Sequence, residues 1–395
     1  MARNDTMAQT GLDDAAEAPY RRFNIPANGF RNYWNPILPA AEVGRKPKPV
    51  RLLNEDIVLF RDAGKLFALE DRCPHRGMKL SLGSCDYAGS GTISCPYHGW
   101  TFDGASGQLV AALMDGPDSP IVRKVAVKSY PVREHAGLIW VFVGDMAPVP
   151  LEDDLPEFIA DQVTFFSIVR YCDYKANWRW LVDNWPHDHH GPYVHRTSPE
   201  LLFQPMLPFG MTVTTTPLPN DKGIAVDGVN GITSGDYAGL GTFPRNNWWR
   251  CMTPAGRGKT EGFETSAARR RYGIQHQFET RLPGMVVVGR QSGEYCLVQW
   301  ATPIDETTTR CFNINNWRRH GTLRGLYDRA HYYLWRGWAH DGTFSGQDKR
   351  MVEGLVPGPE RLSKTDAGVI AWRKYAGAHA RRAPEQDSLR HRGAA

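Results

Sequence analysis

Two short stretches constrain this chain more than anything else in it: Cys73-Pro-His75-Arg-Gly and Cys95-Pro-Tyr-His98-Gly-Trp. Each offers one thiol and one imidazole from a tight, Pro- and Gly-punctuated loop whose backbone N–H groups can turn toward an anion. The first pair is spaced Cys-x-His, the second Cys-x-x-His, with 19 residues between them. Two thiolates on one iron and two imidazoles on the other are the ligand set of a Rieske [2Fe–2S] centre. Tetrahedral zinc also takes two cysteines and two histidines and is the competing reading. Zinc fingers, however, put cysteines in one half-site and histidines in the other. Here each half-site mixes them, as two loops straddling a cluster with segregated irons would.

A second concentration of imidazoles lies further along the chain. Residues 187–195 hold four histidines, His187, His189, His190 and His195, in a chain with 13 in all. An isolated histidine is usually a satisfied core or surface group, which is the reading for His135, His320, His379 and His391. Four within nine residues fit that reading poorly. Two histidines and a carboxylate hold iron(II) on one face and leave other coordination positions open, as oxygen activation requires.

The rest of the composition narrows the class. A chain of 395 residues has room for two domains with sizeable cores. Its hydrophobic content of 41% and charged content of 23% are those of a globular protein. A net charge of +5, with Arg269-Arg270-Arg271 as the longest basic run, gives no nucleic-acid groove but could help dock an acidic redox partner. No run of 18 apolar residues is present to span a membrane, and the N-terminus has no apolar signal core. Seven cysteines without a framework spacing suit a reducing, cytoplasmic setting. Cys85 lies between the ligand pairs and could serve as a spare ligand, though a core thiol is the favoured reading.

The two Cys/His loops resemble those of the Rieske non-heme iron oxygenases, in their large (alpha) terminal oxygenase subunit. The likeness runs from about Phe30 to about Ala376, and is greatest to the dicamba monooxygenase, vanillate demethylase and carbazole dioxygenase groups. The resemblance implies an α+β chain: an antiparallel β Rieske domain placed before a helix-grip catalytic domain, an antiparallel sheet curled around a helix. It makes Cys73, His75, Cys95 and His98 the cluster ligands. The family's His-x4-His spacing falls on His190 and His195, in the context Tyr193-Val194-His195-Arg196, with His189 as the alternative first ligand. The family's late Asp, followed five residues on by Glu, falls on Asp348 and Glu353. Asn184 matches a position near the iron. In the family an Asp three residues before the first iron histidine links the two metal sites across subunits. Here that position is His187. Asp188, Asp183 or His187 itself could take the role, since a neutral imidazole can both donate and accept.

The same resemblance implies a homotrimer. Electrons would come from NAD(P)H through a separate ferredoxin and/or flavin reductase, since no flavin motif or nucleotide Gly-x-Gly-x-x-Gly is fused to the chain. Dioxygen and an aromatic or polycyclic apolar substrate would meet at the mononuclear iron, for hydroxylation or O-demethylation; a steroid substrate is the alternative. A simple Rieske electron carrier, from another class, would need only about 100 residues.

In order, residues 1–20 read as a disordered tail, 21–147 as the Rieske domain with its N-terminal segment, 148–379 as the catalytic domain and 380–395 as a flexible tail. Strand patterns cover Val50–Phe60, Lys65–Leu69, Leu138–Val143, Val163–Lys175, Met211–Pro217, Tyr272–Arg281, Met285–Arg290, Tyr295–Thr302 and Arg310–Asn315. Asn177–His195 reads as mostly helical. Thr322–Ala339 reads as a helix on the apolar stripe Leu323, Leu326, Tyr327, Ala330, Leu334 and Trp338. Alternation places Tyr272, Ile274, His276 and Phe278 on one strand face, with His276 either a polar contact in a substrate cavity or a core histidine. Phe203, Met206, Phe209, Leu282, Met285, Val287 and Trp300 are candidate apolar walls.

Overall fold

A computed structural model describes residues 17–185, 190–195, 197–199, 212–229, 276, 278–288 and 294–382. They form two compact units.

The first unit takes residues 28–160, with 302–310 and 381–382. It is built of three antiparallel three-stranded sheets. One sheet orders β1 (Tyr33–Pro39), β9 (Leu138–Val143) and β8 (Val132–His135). A second is the meander β2 (Lys48–Leu52), β3 (Glu55–Asp62) and β4 (Lys65–Glu70). The third is β5 (Thr92–Ser94), β6 (Trp100–Asp103) and β7 (Leu109–Ala112). The β3–β4 turn runs through Ala63 and Gly64, both at positive φ (46° and 77°), the backbone sense that suits a two-residue hairpin turn. Val58, Phe60, Leu69, Ile93, Phe102 and Leu109 close one core between the second and third sheets, and Cys73 and Cys95 belong to it.

The second unit takes the described residues of 1–27, 161–301 and 311–380. Its seven-stranded sheet has the order β10-β16-β15-β14-β13-β12-β11. These strands are β10 (Phe165–Tyr174), β11 (Thr212–Pro217), β12 (Ile224–Val229), β13 (Phe278–Arg281), β14 (Met285–Val288), β15 (Tyr295–Pro303) and β16 (Thr309–Arg318). Neighbours from β11 through β15 pair antiparallel. Its helices among the described residues include 17–22, Trp178–Asn184, Gly191–Val194, a long continuous run Thr322–Glu353, and Ala367–His379. The long run changes character on the way: α over Thr322–His331, π over Tyr332–Phe344, then α again over Ser345–Glu353.

Several boundaries differ from those the residue pattern suggests. The N-terminal tail ends earlier, since residues 17–22 are helical and Tyr20 is only 3% exposed. The first unit ends at Ala160 rather than at 147. The Trp34 indole N–H donates to Val149 O, and its backbone N–H to Asp154 Oδ2, which ties the Pro-rich stretch to β1. The C-terminal tail is not free from 380, because Arg381 donates to Asp154 and its backbone N–H to the Tyr33 hydroxyl. Strand β12 has no counterpart in the sequence reading; Asp227 and Gly228 dilute its alternation. The helix from Thr322 does not stop at Ala339, because the wide π turns carry it through Gly342. Its announcing stripe faces outward: Leu323 is 85% and Leu334 82% exposed, while Asp328, Tyr332, Ala339 and His340 are buried. Tyr272 and Ile274, like Phe203, Met206 and Phe209, lie outside the described residues.

Candidate metal centres

The two Cys/His loops join strands in the same manner. After β4, the Cys73 N–H donates to Met78 O at 2.7 Å and the Gly77 N–H to Cys73 O at 2.9 Å. Ahead of β6, the Cys95 N–H donates to Trp100 O at 2.8 Å and the Gly99 N–H to Cys95 O at 3.1 Å. Gly77 and Gly99 both take positive φ, 78° and 63°, so each loop is closed by a residue without a Cβ penalty. Asp71 braces the first loop from behind, accepting from the Ser81 N–H and hydroxyl at 2.6 Å each.

This backbone sends sulfur inward and imidazole outward. Cys73 and Cys95 are 1% and 3% exposed, whereas His75 is exposed and His98 half-buried. The His75 and His98 rings meet edge to face at 4.6 Å, and Trp100 stacks on His75 at 4.6 Å with an 8° interplanar angle. Tyr97 stacks on His98 at 3.9 Å, with Arg76 over the far ring. Burial pushes the Cys73 thiol up, and the adjacent Cys95 adds to it. A metal would supply the charge that a thiolate at the buried Cys73 lacks, and the neighbouring Cys95 sulfur lies in the same core, so the pair fits a centre that grips both. Cys85 is the third buried thiol here, packed in the same core with its carbonyl accepting from Arg45.

The second site is assembled from distant segments. Among the described residues, one set of three or more histidine, cysteine or carboxylate donors falls within 4.8 Å: His190, His195 and Asp348. The four loop donors make no such set. One tetrahedral zinc would need all four within about 4 Å of one another, whereas a two-iron cluster spreads them in pairs.

His190 and His195 flank the short helix Gly191–Val194. Five residues apart, they would stand about 140° from each other on a continued helix, but His195 has already left helical backbone (φ −91°, ψ 11°) and the two rings meet edge to face at 5.3 Å. Asp348 comes from the last α portion of the long helix. Its Oδ1 lies 3.3 Å from His190 Nε2 and 3.2 Å from His195 Nε2. His195 is fully buried, and its Nε2 makes no hydrogen bond. A buried imidazole nitrogen aimed at a carboxylate oxygen without hydrogen-bond geometry suits a shared ion. Burial alone would raise the Asp348 carboxyl; the two imidazoles facing it outweigh that and hold it well below the ordinary range.

Around this trio stand two groups that the sequence did not single out, Gln347 and Phe344, and one that the resemblance had placed near the iron, Asn184. His195 Nδ1 lies 3.0 Å from Gln347 Oε1, and Gln347 Nε2 donates to Thr197 Oγ1 at 2.9 Å. Phe344 stacks on the His195 ring at 3.4 Å. Gln347 adjoins the proposed carboxylate in sequence, which was the available signal; Phe344 had none. Asn184, at the C-terminal end of the helix Trp178–Asn184, points Nδ2 at Asp348 Oδ1, 3.4 Å away.

Asp183 does not join them. Its carboxylate accepts from the Tyr20 hydroxyl at 2.7 Å and from Arg373 Nη2 at 2.6 Å, and Arg373 also donates to Glu360. Burial pushes the Asp183 carboxyl up, against the pull of Arg373. Asp183 thereby ties its helix to Ala367–His379, both of its named partners lying in this chain. His187, Asp188 and His189 lie outside the described residues. His276 Nδ1 is 2.9 Å from Asp227 Oδ2. Met285, Val287 and Trp300 are buried at 1%, 1% and 0%. Glu353 accepts from the Lys175 N–H at 2.8 Å and lies 3.8 Å from Lys349 Nζ.

Comparison with known proteins places this arrangement. Residues 33–131 match the Rieske [2Fe–2S] domain, and residues 142–383 match the family described as homotrimeric ring hydroxylases. The terminal oxygenase component of carbazole 1,9a-dioxygenase from a Sphingomonas species is 31% identical over 381 residues, covering 92% of this chain and 94% of that protein. The solved structure of the reduced complex between oxygenase and ferredoxin in carbazole 1,9a-dioxygenase matches with a TM-score of 0.74 at 26% identity, covering 96% of each chain. A 4β-methylsterol monooxygenase from Methylococcus capsulatus is 36% identical over 202 residues, 49% of this chain and 52% of that protein. The chain belongs to the homotrimeric ring hydroxylases, the Rieske oxygenases whose cofactors are a [2Fe–2S] cluster and a mononuclear iron. No described helix is long and apolar enough to cross a membrane.

Proposed function

We propose that this chain is the terminal oxygenase of a multicomponent system, drawing single electrons from a separate ferredoxin and inserting oxygen into an aromatic or polycyclic apolar substrate of carbazole-like shape. Cys73, His75, Cys95 and His98 hold the cluster in this reading, and His190, His195 and Asp348 hold the iron. The observation that carries it is the convergence of two imidazole nitrogens on one carboxylate oxygen at 3.3 and 3.2 Å. Adjacent ligands of a six-coordinate metal with bonds of about 2.1 Å lie about 3 Å apart, so these donors fit one face of an ion. Three such donors would leave further positions on the ion for dioxygen.

When bound, the cluster supplies electrons one at a time and the iron activates dioxygen. The protein's own groups prepare the site. Gln347 Oε1 accepts a hydrogen bond from His195 Nδ1–H, which fixes the tautomer that leaves the Nε2 lone pair for an ion. Asn184 and Phe344 hold Asp348 and the His195 ring in place. At the other centre, Trp100 shelters the His75 ring while leaving an imidazole edge at the surface, where an electron can pass. The buried thiols favour a cytoplasmic setting.

A steroid substrate is the second reading. The sterol monooxygenase likeness favours it, but over only half of the chain, against the near full-length likeness to carbazole oxygenases. The deciding experiment incubates the iron-loaded protein with a surrogate ferredoxin and reductase, dioxygen, and a panel of polycyclic aromatic and steroid compounds. Oxygenated or demethylated products are identified by mass spectrometry. Product from the polycyclic aromatics is expected. Turnover of steroids alone would move the assignment, and no product from a protein whose cluster is reduced would remove it.

A further inference from the structure

The proposed iron ligand Asp348 is carried by a helix whose preceding 13 residues, Tyr332–Phe344, are π-helical. Such widened turns are uncommon and collect at functional sites. Within this one, Asp341 is tied from three directions. Asn313 Nδ2 donates to its Oδ1 at 3.0 Å; the Tyr332 hydroxyl donates to its Oδ2 at 2.5 Å, and Asn315 Nδ2 to the same oxygen at 3.3 Å. Asn313 and Asn315 are alternate residues of β16 and so present the same face. Both are buried, at 6% and 0% exposure. Each is itself held: Gln299 Nε2 donates to Asn313 Oδ1 at 3.1 Å and the Tyr295 hydroxyl to Asn315 Oδ1 at 2.6 Å, both from β15. Asn313 Nδ2 also reaches Ser345 Oγ at 3.1 Å, one turn before Asp348.

Asp341, Ser345 and Asp348 are spaced four and three apart, so the helical period sets them along one stripe. The strands grip the first two. The third faces His190 and His195. We propose that Asp341 is a positioning residue: through Asn313 and Asn315 it fixes the rotation and axial setting of the helix, and thereby where the Asp348 carboxylate meets the two imidazoles. This rests on the ligand set proposed above. An apolar core could press the helix against the sheet, but it would tolerate a small slide or twist. A carboxylate receiving three directed donors does not.

The test is Asp341→Asn, which keeps the shape but leaves one oxygen acceptor where two are used. Ferrous affinity of the iron-depleted protein is measured by titration, alongside the electron paramagnetic resonance of its nitric oxide adduct and of the reduced cluster. Ferrous affinity should fall about 10- to 100-fold, the usual effect of disturbing groups behind a metal ligand. The nitric oxide adduct signal should change shape, and the Rieske signal should stay. Asp341→Asn with Asn315→Asp, which returns an acceptor to the same contact, should recover part of the loss. Asp328→Asn, a buried acid on the same helix bonded to Arg324 rather than to the sheet, should leave ferrous affinity unchanged. Parental affinity and signal shape in Asp341→Asn would overturn the proposal, as would an equal loss in Asp328→Asn. If Asp341→Asn does not fold, Ser345→Ala, which removes one hydroxyl from the same anchor, must show the smaller shift in the same two readouts or the proposal fails. Asp348→Ala, run in parallel, separates the two claims: if it keeps its iron, the ligand set is wrong and not merely its anchor.

Discussion

The two centres are held by opposite means. At the first, the four candidate ligands fall within residues 73–98, and the backbone does the holding: two matched turns, each closed by two main-chain hydrogen bonds and a glycine at positive φ. At the second, the donors are separated by some 150 positions in the chain, and side chains do the holding: Gln347 on His195, Asn184 on Asp348, and the Asp341 network beneath the helix. A centre that only relays electrons gains from a rigid, fully ligated cradle. One that must admit dioxygen and substrate needs open positions, so its ligands are fewer and their support comes from further out.

The sharpest way to break that comparison is Asp348→Ala. Removing one of three donors should take iron from about three to about two per chain, since the cluster's pair is untouched. Product formation should fall on the order of a thousandfold or more, while the Rieske spectrum persists. Normal turnover in that variant would end the assignment. Chelation asks the same question without mutation. A bidentate ferrous chelator should strip the three-ligand iron through its open face while the brown colour remains, because the cluster's sulfur ligands are buried. Bleaching of the cluster first would reverse the proposed order of rigidity.

The difference in support also decides what could be read from residues alone. Cys73, His75, Cys95 and His98 were legible because ligands and turn-formers share one short stretch, and local chemistry suffices there. The cluster of four histidines was legible from residues alone, but the choice of His190 and His195 within it, like that of Asp348, came only through family likeness, since a lone Asp on a helix is ordinary. Asp341, Asn313 and Asn315 gave no signal at all, because their meeting depends on which strand a helix crosses. The stripe from Leu323 to Trp338 shows the limit from the other side. Periodicity identifies an amphipathic helix but not which face the fold covers, and here the outward face is the apolar one.

The support around the second centre can be probed away from the metal. Arg373→Leu strands Asp183 with only Tyr20 as partner and should destabilise the catalytic unit by about 3–5 kcal/mol, as breaking a buried ion pair does. The pH dependence has a definite sign. A carboxyl whose folded pKa is raised is at its most stabilising while protonated, below its unfolded pKa of about 3.9, and loses that contribution as pH rises through the folded pKa. Burial already raises Asp183, and loss of Arg373 raises it further. Urea unfolding should therefore show the deficit of Arg373→Leu shrinking as pH is lowered from 7 toward 5. A deficit independent of pH would mean that Asp183 is not the group left unpaired.

The smallest effect tests the first centre's reliance on its backbone. Gly99 and Gly64 both adopt positive φ, at 63° and 77°, so alanine at either costs about 1–2 kcal/mol of left-handed strain. Their surroundings differ. A Cβ at Gly64 meets nothing within 4 Å, whereas one at Gly99 would lie 2.9 Å from Leu113 Cδ1 and 3.0 Å from its Cβ. Gly64→Ala should then show the conformational cost alone and leave the cluster's spectrum and reduction potential unchanged. Gly99→Ala should cost more by thermal unfolding. Because Leu113, half exposed, lies against the loop that presents Cys95 and His98, displacing it should also move the reduction potential. Equal unfolding costs with an unmoved potential would mean that Leu113 simply swings aside; the second loop would then owe its geometry to its own hydrogen bonds and not to this neighbour.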